Sequence, residues 1–328
     1  MVWGGTVTQC KERDSARLIH VPVGECQWDT VHRVKTPWAR TRAKRTTPTA
    51  VPPQVEKLRR RLRKSEEQLQ KTRAQRDRLR ARLDRDREEL EVLRAFTLDV
   101  FPGVEVPDRV AEVVEAVRRE RLSFLSEDLL RSLVVCVREI EQTGREGLII
   151  EAGAARGGSA IVMAAAKAPE REMRVYDVFG MIPPPGEADG EDVHERYATI
   201  VSGKAGAPDG ELYYGYREDL LGEVTESFAR HGVAVDESNV RLVEGLFADT
   251  ITGDEPVALA HLDGDWYEST MTCLERIAPR LVPGGRIVLD DYFHWSGCRT
   301  AVDEYFADRP GFRLEMRARV HVVREADA

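Results

Sequence analysis

The chain has 328 residues, 42% hydrophobic and 32% charged, with a formal net charge of −8. That balance suits a soluble protein with a real core, long enough for one large domain plus an extension. No run of about 18 apolar residues occurs, which excludes a membrane-spanning helix, and Met1–His20 lacks the apolar segment of a secretory signal. Five cysteines (Cys10, Cys26, Cys136, Cys273, Cys298) are scattered without a CxxC pair. A reducing, cytoplasmic setting is therefore expected, rather than a disulfide framework or a zinc ribbon.

Charge is unevenly distributed. Residues 1–100 carry 24 Lys and Arg against 14 Asp and Glu, whereas the rest of the chain is strongly acidic. An acidic body argues against a nucleic-acid groove, so only the basic arm could serve one, and no nucleic-acid partner is expected. Residues 1–54 show no helical or strand periodicity and end in TTPTAVPP before Gln54. They read as a disordered basic arm or as an extension upstream of the true start codon; electrostatic binding to an anionic polymer is the sharper alternative.

From Val55 the pattern changes abruptly, and residues 55–100 read as a coiled-coil helix. Leu58, Leu62, Leu69, Leu79, Leu83, Leu90 and Leu93 fall on one heptad frame. The remaining a and d sites between them hold Ser65, Thr72, Arg76 and Asp86. Such a helix should pair with its copy in a homo-oligomer. A single helix held by i,i+4 ion pairs is the alternative, because Arg76 and Asp86 interrupt the seam. Pro102, Gly103 and Pro107 then stop the helix.

Residues 105–328 form the third region. Amphipathic helices are predicted over 108–121 and from Ser126, a cap residue, to Gln142. Short apolar strands then alternate with helices. The strands are placed at 148–151, 174–178, 240–244, 257–262, 286–290, 312–316 and 320–323, with helices at 157–168, 217–231, 268–280 and 298–307. This alternation means an α/β fold with a mostly parallel, doubly wound sheet. The last two strands are too close for a crossover and should form an antiparallel hairpin at the sheet edge. Residues 180–215, rich in Pro and Gly, read as a lid, a binding loop or a disordered insertion.

The first strand runs into Glu151-Ala-Gly-Ala-Ala-Arg-Gly-Gly-Ser159. Gly153, Gly157 and Gly158 would let a ligand approach the backbone at the carboxyl end of that strand; tight strand–helix packing explains them equally. Asp177, 26 residues after Glu151, ends the second strand where an acid can accept hydrogen bonds from a ribose diol. The spacing G-x-x-x-G-G differs from the dinucleotide fingerprint and counts against NAD, so a dehydrogenase is the weakest reading. Asp263 and Asp265 follow the fourth strand, and Asp290 and Asp291 the fifth. Clustered carboxylates repel unless a cation or proton neutralises them, and an all-oxygen set points to Mg²⁺ or a similar ion. The bland alternative is that these aspartates cap the helices that follow.

The motifs together resemble the macrocin O-methyltransferase (TylF-like) family. The resemblance rests on ExGxxRGGS at 151–159, Asp177 with Phe179, GxFxDT at 245–250, HLDGDxYES at 261–269, PGGxIxxDDY at 283–292 and GCRxAVDE at 297–304. It implies a Rossmann-like class I methyltransferase fold, S-adenosyl-L-methionine and Mg²⁺ as cofactors, and an acceptor hydroxyl on a sugar of a glycosylated small molecule. By the same resemblance Asp263, Asp290 and Asp291 would hold the metal and Asp265 would be the general base. Glu151, Gly153, Ala154, Ala155 and Ser159 would cradle the methionine end. Asp177 would hold the ribose, with Val178 beside it and Phe179 flanking the adenine, and Phe247 and Asp249 would line the cleft. A catechol-like or other vicinal-diol acceptor is the second reading, and a non-catalytic coiled-coil assembly protein the third. His261, Cys273 and Cys298 are read as packing residues, while His294 and Tyr213, Tyr214 and Tyr216 fall on the acceptor side, with substrate contact and plain packing both open.

Overall fold

The structure is a computed structural model that describes residues 53–98, 104–206 and 210–326, with the side chains of 83, 84 and 86–98 left out. The basic arm lies outside the described residues apart from its last two positions. The chain divides into two compact units, residues 1–64 and 65–328. The described part of the first is the opening of one long helix, α1 (Pro53–Leu98), with proline in the first turn where its missing N–H costs nothing. At 46 residues α1 is about 69 Å long. Leu58, Leu62, Leu69 and Leu79 on it are 51–62% exposed, so the expected seam is uncovered within one chain.

The α/β part of the second unit opens with α2 (Asp108–Arg119) and α3 (Glu127–Gln142), the latter capped by Ser126, which accepts from the Leu129 amide at 3.4 Å. Seven strands follow: β1 (Leu148–Ala152), β2 (Met173–Asp177), β3 (Val240–Glu244), β4 (Val257–Leu262), β5 (Leu281–Leu289), β6 (Phe312–Met316) and β7 (Val320–Arg324). Their order is β3-β2-β1-β4-β5-β7-β6, with β1 to β5 parallel and β7 antiparallel to both neighbours. The order reverses between β1 and β4, so their carboxyl ends open a crevice at the switch point.

Alternation along the strands fills both faces. Ile149, Met173, Val175, Leu259 and Val288 pack with α2, α3, α4 (Gly158–Ala166) and Phe228 of α6 (Leu220–Arg230). Ile150, Tyr176, Ala260, Ile287 and Val322 pack on the other face with α8 (Tyr267–Ile277) and α9 (Ser296–Phe306). Helices on both faces of a mostly parallel sheet are the expected architecture. No helix among the described residues is long and apolar enough to cross a membrane.

Two elements differ from the sequence reading. β5 begins at Leu281 rather than 286, because Pro283-Gly284-Gly285 forms a bulge inside the strand: Val257 and Leu259 of β4 pair with Leu281 and Arg286. The 180–215 stretch is not a bare loop. It contains α5 (Glu191–Val201) and a small core of Ile182, Val193, Ile200, Ala205, Tyr213 and Trp266. Only Val193 and Ile200 of α5 are fully buried, too few to print a helical period on the sequence.

Candidate active site

A cavity of about 480 Å³ opens at the carboxyl ends of β1, β2, β4 and β5. Its size falls within the range of small-molecule sites. Gly153, Ala155, Asp177, Val178 and Phe247 line one part of it. Asp263, Asp265, Asp290 and Asp291 line the middle, and Arg196, Tyr213, Tyr214, Trp266, His294 and Trp295 the far wall. Glu151, Ala154, Ser159, Phe179 and Asp249, assigned to the cofactor by resemblance, do not line it.

The glycine-rich turn is shaped by the protein itself. A Cβ on Gly153, which has φ +93°, would sit 1.9 Å from the Asp263 carbonyl oxygen. One on Gly157 would meet Val224, and one on Gly158 the backbone of Leu122. Close packing therefore accounts for all three glycines, the alternative that the sequence left open. Asp177 then fixes the turn: its carboxylate accepts from the amides of Ala154 (2.7 Å), Ala155 (2.9 Å) and Phe179 (2.7 Å). A carboxylate can accept about four hydrogen bonds, so Asp177 retains one for a ligand. Burial raises its pKa and the three amides oppose that rise. Phe179, at φ +44°, packs into the core with 6% exposure.

Behind the turn lies a buried charge chain. Glu151 is fully buried; Ser159 Oγ donates to its Oε1, and His261 Nδ1 lies 3.4 Å from the same oxygen. His261 Nε2 lies 3.9 Å from Asp290 Oδ1. Desolvation would lower the imidazole's pKa, but the neighbouring carboxylates of Asp290 and Glu151 raise it to about 9. His261 thus lies buried between two carboxylates, Glu151 and Asp290. Glu151 Oε2 has no hydrogen-bond partner among the described residues.

The aspartates fall into two groups. One carboxylate oxygen each from Asp263, Asp265 and Asp291 lie within 4.8 Å of one another. Asp291 Oδ2 also accepts from the Asp265 amide at 3.0 Å, and Asp265 has φ +57°. Burial first, and the neighbouring Asp291 next, push the Asp263 and Asp265 carboxyls well above the usual range. Burial and the charge of Asp290 push Asp291 up to about 6. Asp290 itself is held apart by Arg319, whose Nε donates to it at 2.9 Å. Burial would raise its pKa, but Arg319 and His261 hold it below the usual range. Arg319 carries no motif and was missed; its only trace in sequence is a cation just before an apolar strand.

Helix capping does not explain the cluster. The first amide of α8, on Tyr267, donates to Asp189 Oδ1 at 2.8 Å, and the Gly186 amide donates to Asp189 Oδ2 at 2.9 Å. The first amide of α9, on Ser296, donates to Asp192 Oδ2 at 3.0 Å. Both caps come from the 180–215 insertion, which leaves the strand-end aspartates free of that role. Asp189→Ala should therefore lower stability by roughly 1–3 kcal/mol, because two buried amides lose their acceptor. A urea midpoint equal to that of the wild type would show that Asp189 does not anchor α8.

The far wall is aromatic. Trp266 donates to the Pro183 carbonyl at 3.0 Å and packs edge-on against Trp295 at 5.7 Å. The rings of Tyr213 and Tyr214 pack at a tilt with centres 4.4 Å apart, and the Arg196 guanidinium lies 5.6 Å from the Tyr213 ring centre. Tyr216 is structural: its hydroxyl donates to the Ile200 carbonyl at 2.5 Å. Cys273 and Cys298 are buried and burial pushes their thiols up, as befits packing residues. The sequence pointed to none of Arg196, Trp266 and Phe124 as cavity residues.

Residues 118–313 match the family model described as Macrocin-O-methyltransferase (TylF). The chain belongs to this family. Its relatives include the 8-demethyl-8-(2,3-dimethoxy-alpha-L-rhamnosyl)-tetracenomycin-C 4'-O-methyltransferase of Streptomyces olivaceus, 36% identical over 183 residues, covering 54% of this chain and 64% of that protein. The Mycinamicin III 3''-O-methyltransferase of Micromonospora griseorubida is 33% identical over 196 residues, 57% of this chain and 70% of its own. The demethyldecarbamoylnovobiocin O-methyltransferase of Streptomyces niveus is 31% identical, with 65% of its length spanned. This chain thus spans less than two thirds of the length of the two Streptomyces relatives. Among solved structures, the O-methyltransferase NovP aligns with a TM-score of 0.52 at 26% identity, over 62% of this chain and 82% of its own. The family match begins within α2, so α1 lies outside it.

Proposed function

We propose that this TylF-family chain is an S-adenosyl-L-methionine-dependent O-methyltransferase that uses Mg²⁺ and acts on a sugar hydroxyl of a glycosylated small molecule. The observation that carries this reading is the carboxylate cluster Asp263, Asp265 and Asp291, facing a cavity and free of any capping role. Three mutually repelling carboxylates with raised pKa values suit a divalent cation, and their all-oxygen chemistry suits Mg²⁺. Gly153, Ala155, Asp177 and Phe247, converging on the same cavity, suit the nucleoside end of the methyl donor. The sugar acceptor rests on the names of the Streptomyces olivaceus and Micromonospora griseorubida relatives and on the aromatic wall.

When bound, the methyl donor supplies an electrophilic methyl and the cation lowers the pKa of a nearby hydroxyl. Asp263 and Asp291 would hold the cation, with Asp290 beside them already balanced by Arg319. Asp265 would accept the hydroxyl proton. It belongs to the cluster, yet its charge also acts on Tyr213 and Tyr214 across the cavity, and its carboxylate takes a hydrogen bond from Trp295. The acceptor's oxygen is thereby held between the cluster and the aromatic wall, and the chain contributes position and proton transfer, not a covalent step. Trp266, Trp295 and Tyr214 exclude water from that side.

Calorimetric titration tests the reading. S-adenosylhomocysteine should bind the wild type, and Mg²⁺ should bind the complex. Asp263→Asn should abolish the Mg²⁺ heat and retain nucleoside binding. Because it removes repulsion, the same variant should melt above the metal-free wild type, by about 2–4 °C for each kcal/mol relieved. An absence of nucleoside binding would remove the methyltransferase reading, while retained Mg²⁺ binding in Asp263→Asn would remove the proposed metal site.

A further inference from the structure

We infer that α1 pairs with α1 of a second copy in antiparallel orientation, in the register that brings position 58 of one chain level with position 90 of the other. The surface is a seam whose described side chains no other described residue covers: Val55, Leu58, Leu62, Leu69 and Leu79 are exposed. The contact that α1 makes with α5 uses a different face. Arg78, at a c position of the heptad frame, pairs with Glu191 (2.6 Å) and Glu195 (2.5 Å) and leaves the a and d positions open.

Charge along the helix decides the partner and its direction. Residues 57–64 hold Lys57, Arg59, Arg60, Arg61, Arg63 and Lys64 and no acid. Residues 84–91 hold Asp84, Asp86, Glu88, Glu89 and Glu91 against Arg85 and Arg87. A parallel pair would set the cationic block on itself, and would stack Arg76 on Arg76 and Asp86 on Asp86 in the seam. Like charges at facing positions are costly and specify against that arrangement.

In an antiparallel pair a positions meet d positions of the other chain. With 58 level with 90, position 55 meets 93 and 69 meets 79, so three layers join apolar residue types. Position 76 then meets Thr72 rather than another arginine, and 86 meets Leu62 rather than another aspartate. The 57–64 block of each chain lies along 84–91 of the other. At the flanking positions this sets Arg61 near Glu89 and Glu66 near Arg80 of the second copy, against two unfavourable levels, Arg59 with Arg87 and Arg73 with its own counterpart. The two chains leave the rod in opposite directions.

The full-length wild-type chain carries the test. A mixture of unlabelled and ¹⁵N-labelled protein is treated with a carbodiimide, which joins a lysine to a carboxylate without a spacer, and digested. Within one helix Lys57 and Lys64 lie about 48 and 38 Å from position 89, far beyond such a link. The expected result is twice the chain mass by light scattering, with mixed-isotope links from Lys57 or Lys64 to Glu89. A monomer mass would overturn the proposal, as would mixed-isotope links confined to one end, such as Lys64 to Glu66. An assembly larger than a dimer would overturn it too. Glu89→Lys supplies a second reading: it should lower the dimer fraction at low salt, and an unchanged fraction would remove the charge argument.

Discussion

Asp265→Asn is expected to slow methyl transfer by about 10²–10⁴-fold, the usual contribution of a positioned base, while S-adenosylhomocysteine affinity stays at the wild-type value. Asparagine is the informative replacement. Asp265 sits at φ +57°, a left-handed conformation that asparagine also adopts with little strain, so the turn after β4 should survive. The hydrogen bond from the Asp265 amide to Asp291 comes from the backbone and is retained. The charge and the proton-accepting oxygen are lost. Single-turnover rates with an acceptor that the wild type methylates would read the effect. A rate within a few-fold of wild type would assign the base elsewhere in the cluster, with Asp263 first in line. Loss of nucleoside binding would show that Asp265 supports the cavity rather than the chemistry.

Gly153→Ala is expected to lower stability by about 3 kcal/mol or more, combining backbone strain with overpacking. The methyl group would be forced to within 1.9 Å of a main-chain carbonyl, that of Asp263, and no side-chain rotation can relieve the clash. Gly203→Ala provides the comparison, since Gly203 also has positive φ (+73°) but open space around its Cα. It should cost only the conformational part, about 1 kcal/mol. Urea midpoints of the two variants separate the effects. Equal losses would mean that the close approach of β1 to β4 adds nothing. A large loss at Gly153 should also disturb Mg²⁺ binding, because the carbonyl that must move belongs to a residue of the carboxylate cluster.

The strand-end position of the aspartates was legible because one-dimensional patterns report it directly. In an open parallel sheet every strand points its carboxyl end to the same edge, so acids following β4 and β5 must come together once the strands are found. The strand-end reading grouped Asp263, Asp265, Asp290 and Asp291 on that basis, and the structure has all four around one cavity. Their division of labour was not legible. Arg319 reaches Asp290 only because β7 inserts between β5 and β6, a pairing set by packing and not by local sequence. Likewise, whether the aspartates were caps could be decided only after Asp189 and Asp192, some 75–105 positions away, were seen to fill that role.

What the sequence alone determined is the alternation of elements, the mostly parallel sheet with its closing hairpin, the family motifs and the heptad pattern of α1. Each is a local periodicity or a short motif, and the physics behind each acts over a few residues. What only the tertiary structure decided is which atoms those motifs use. Gly157 and Gly158 face α6 and Leu122 rather than a ligand, and Phe179 turns inward. Asp177 holds the turn with three of its acceptor positions. Residues 180–215 are a helix and a small core that cap two other helices and wall the cavity. Those outcomes depend on contacts between residues far apart in the chain, where steric exclusion and the need to satisfy buried polar groups leave one arrangement among many that local patterns would permit.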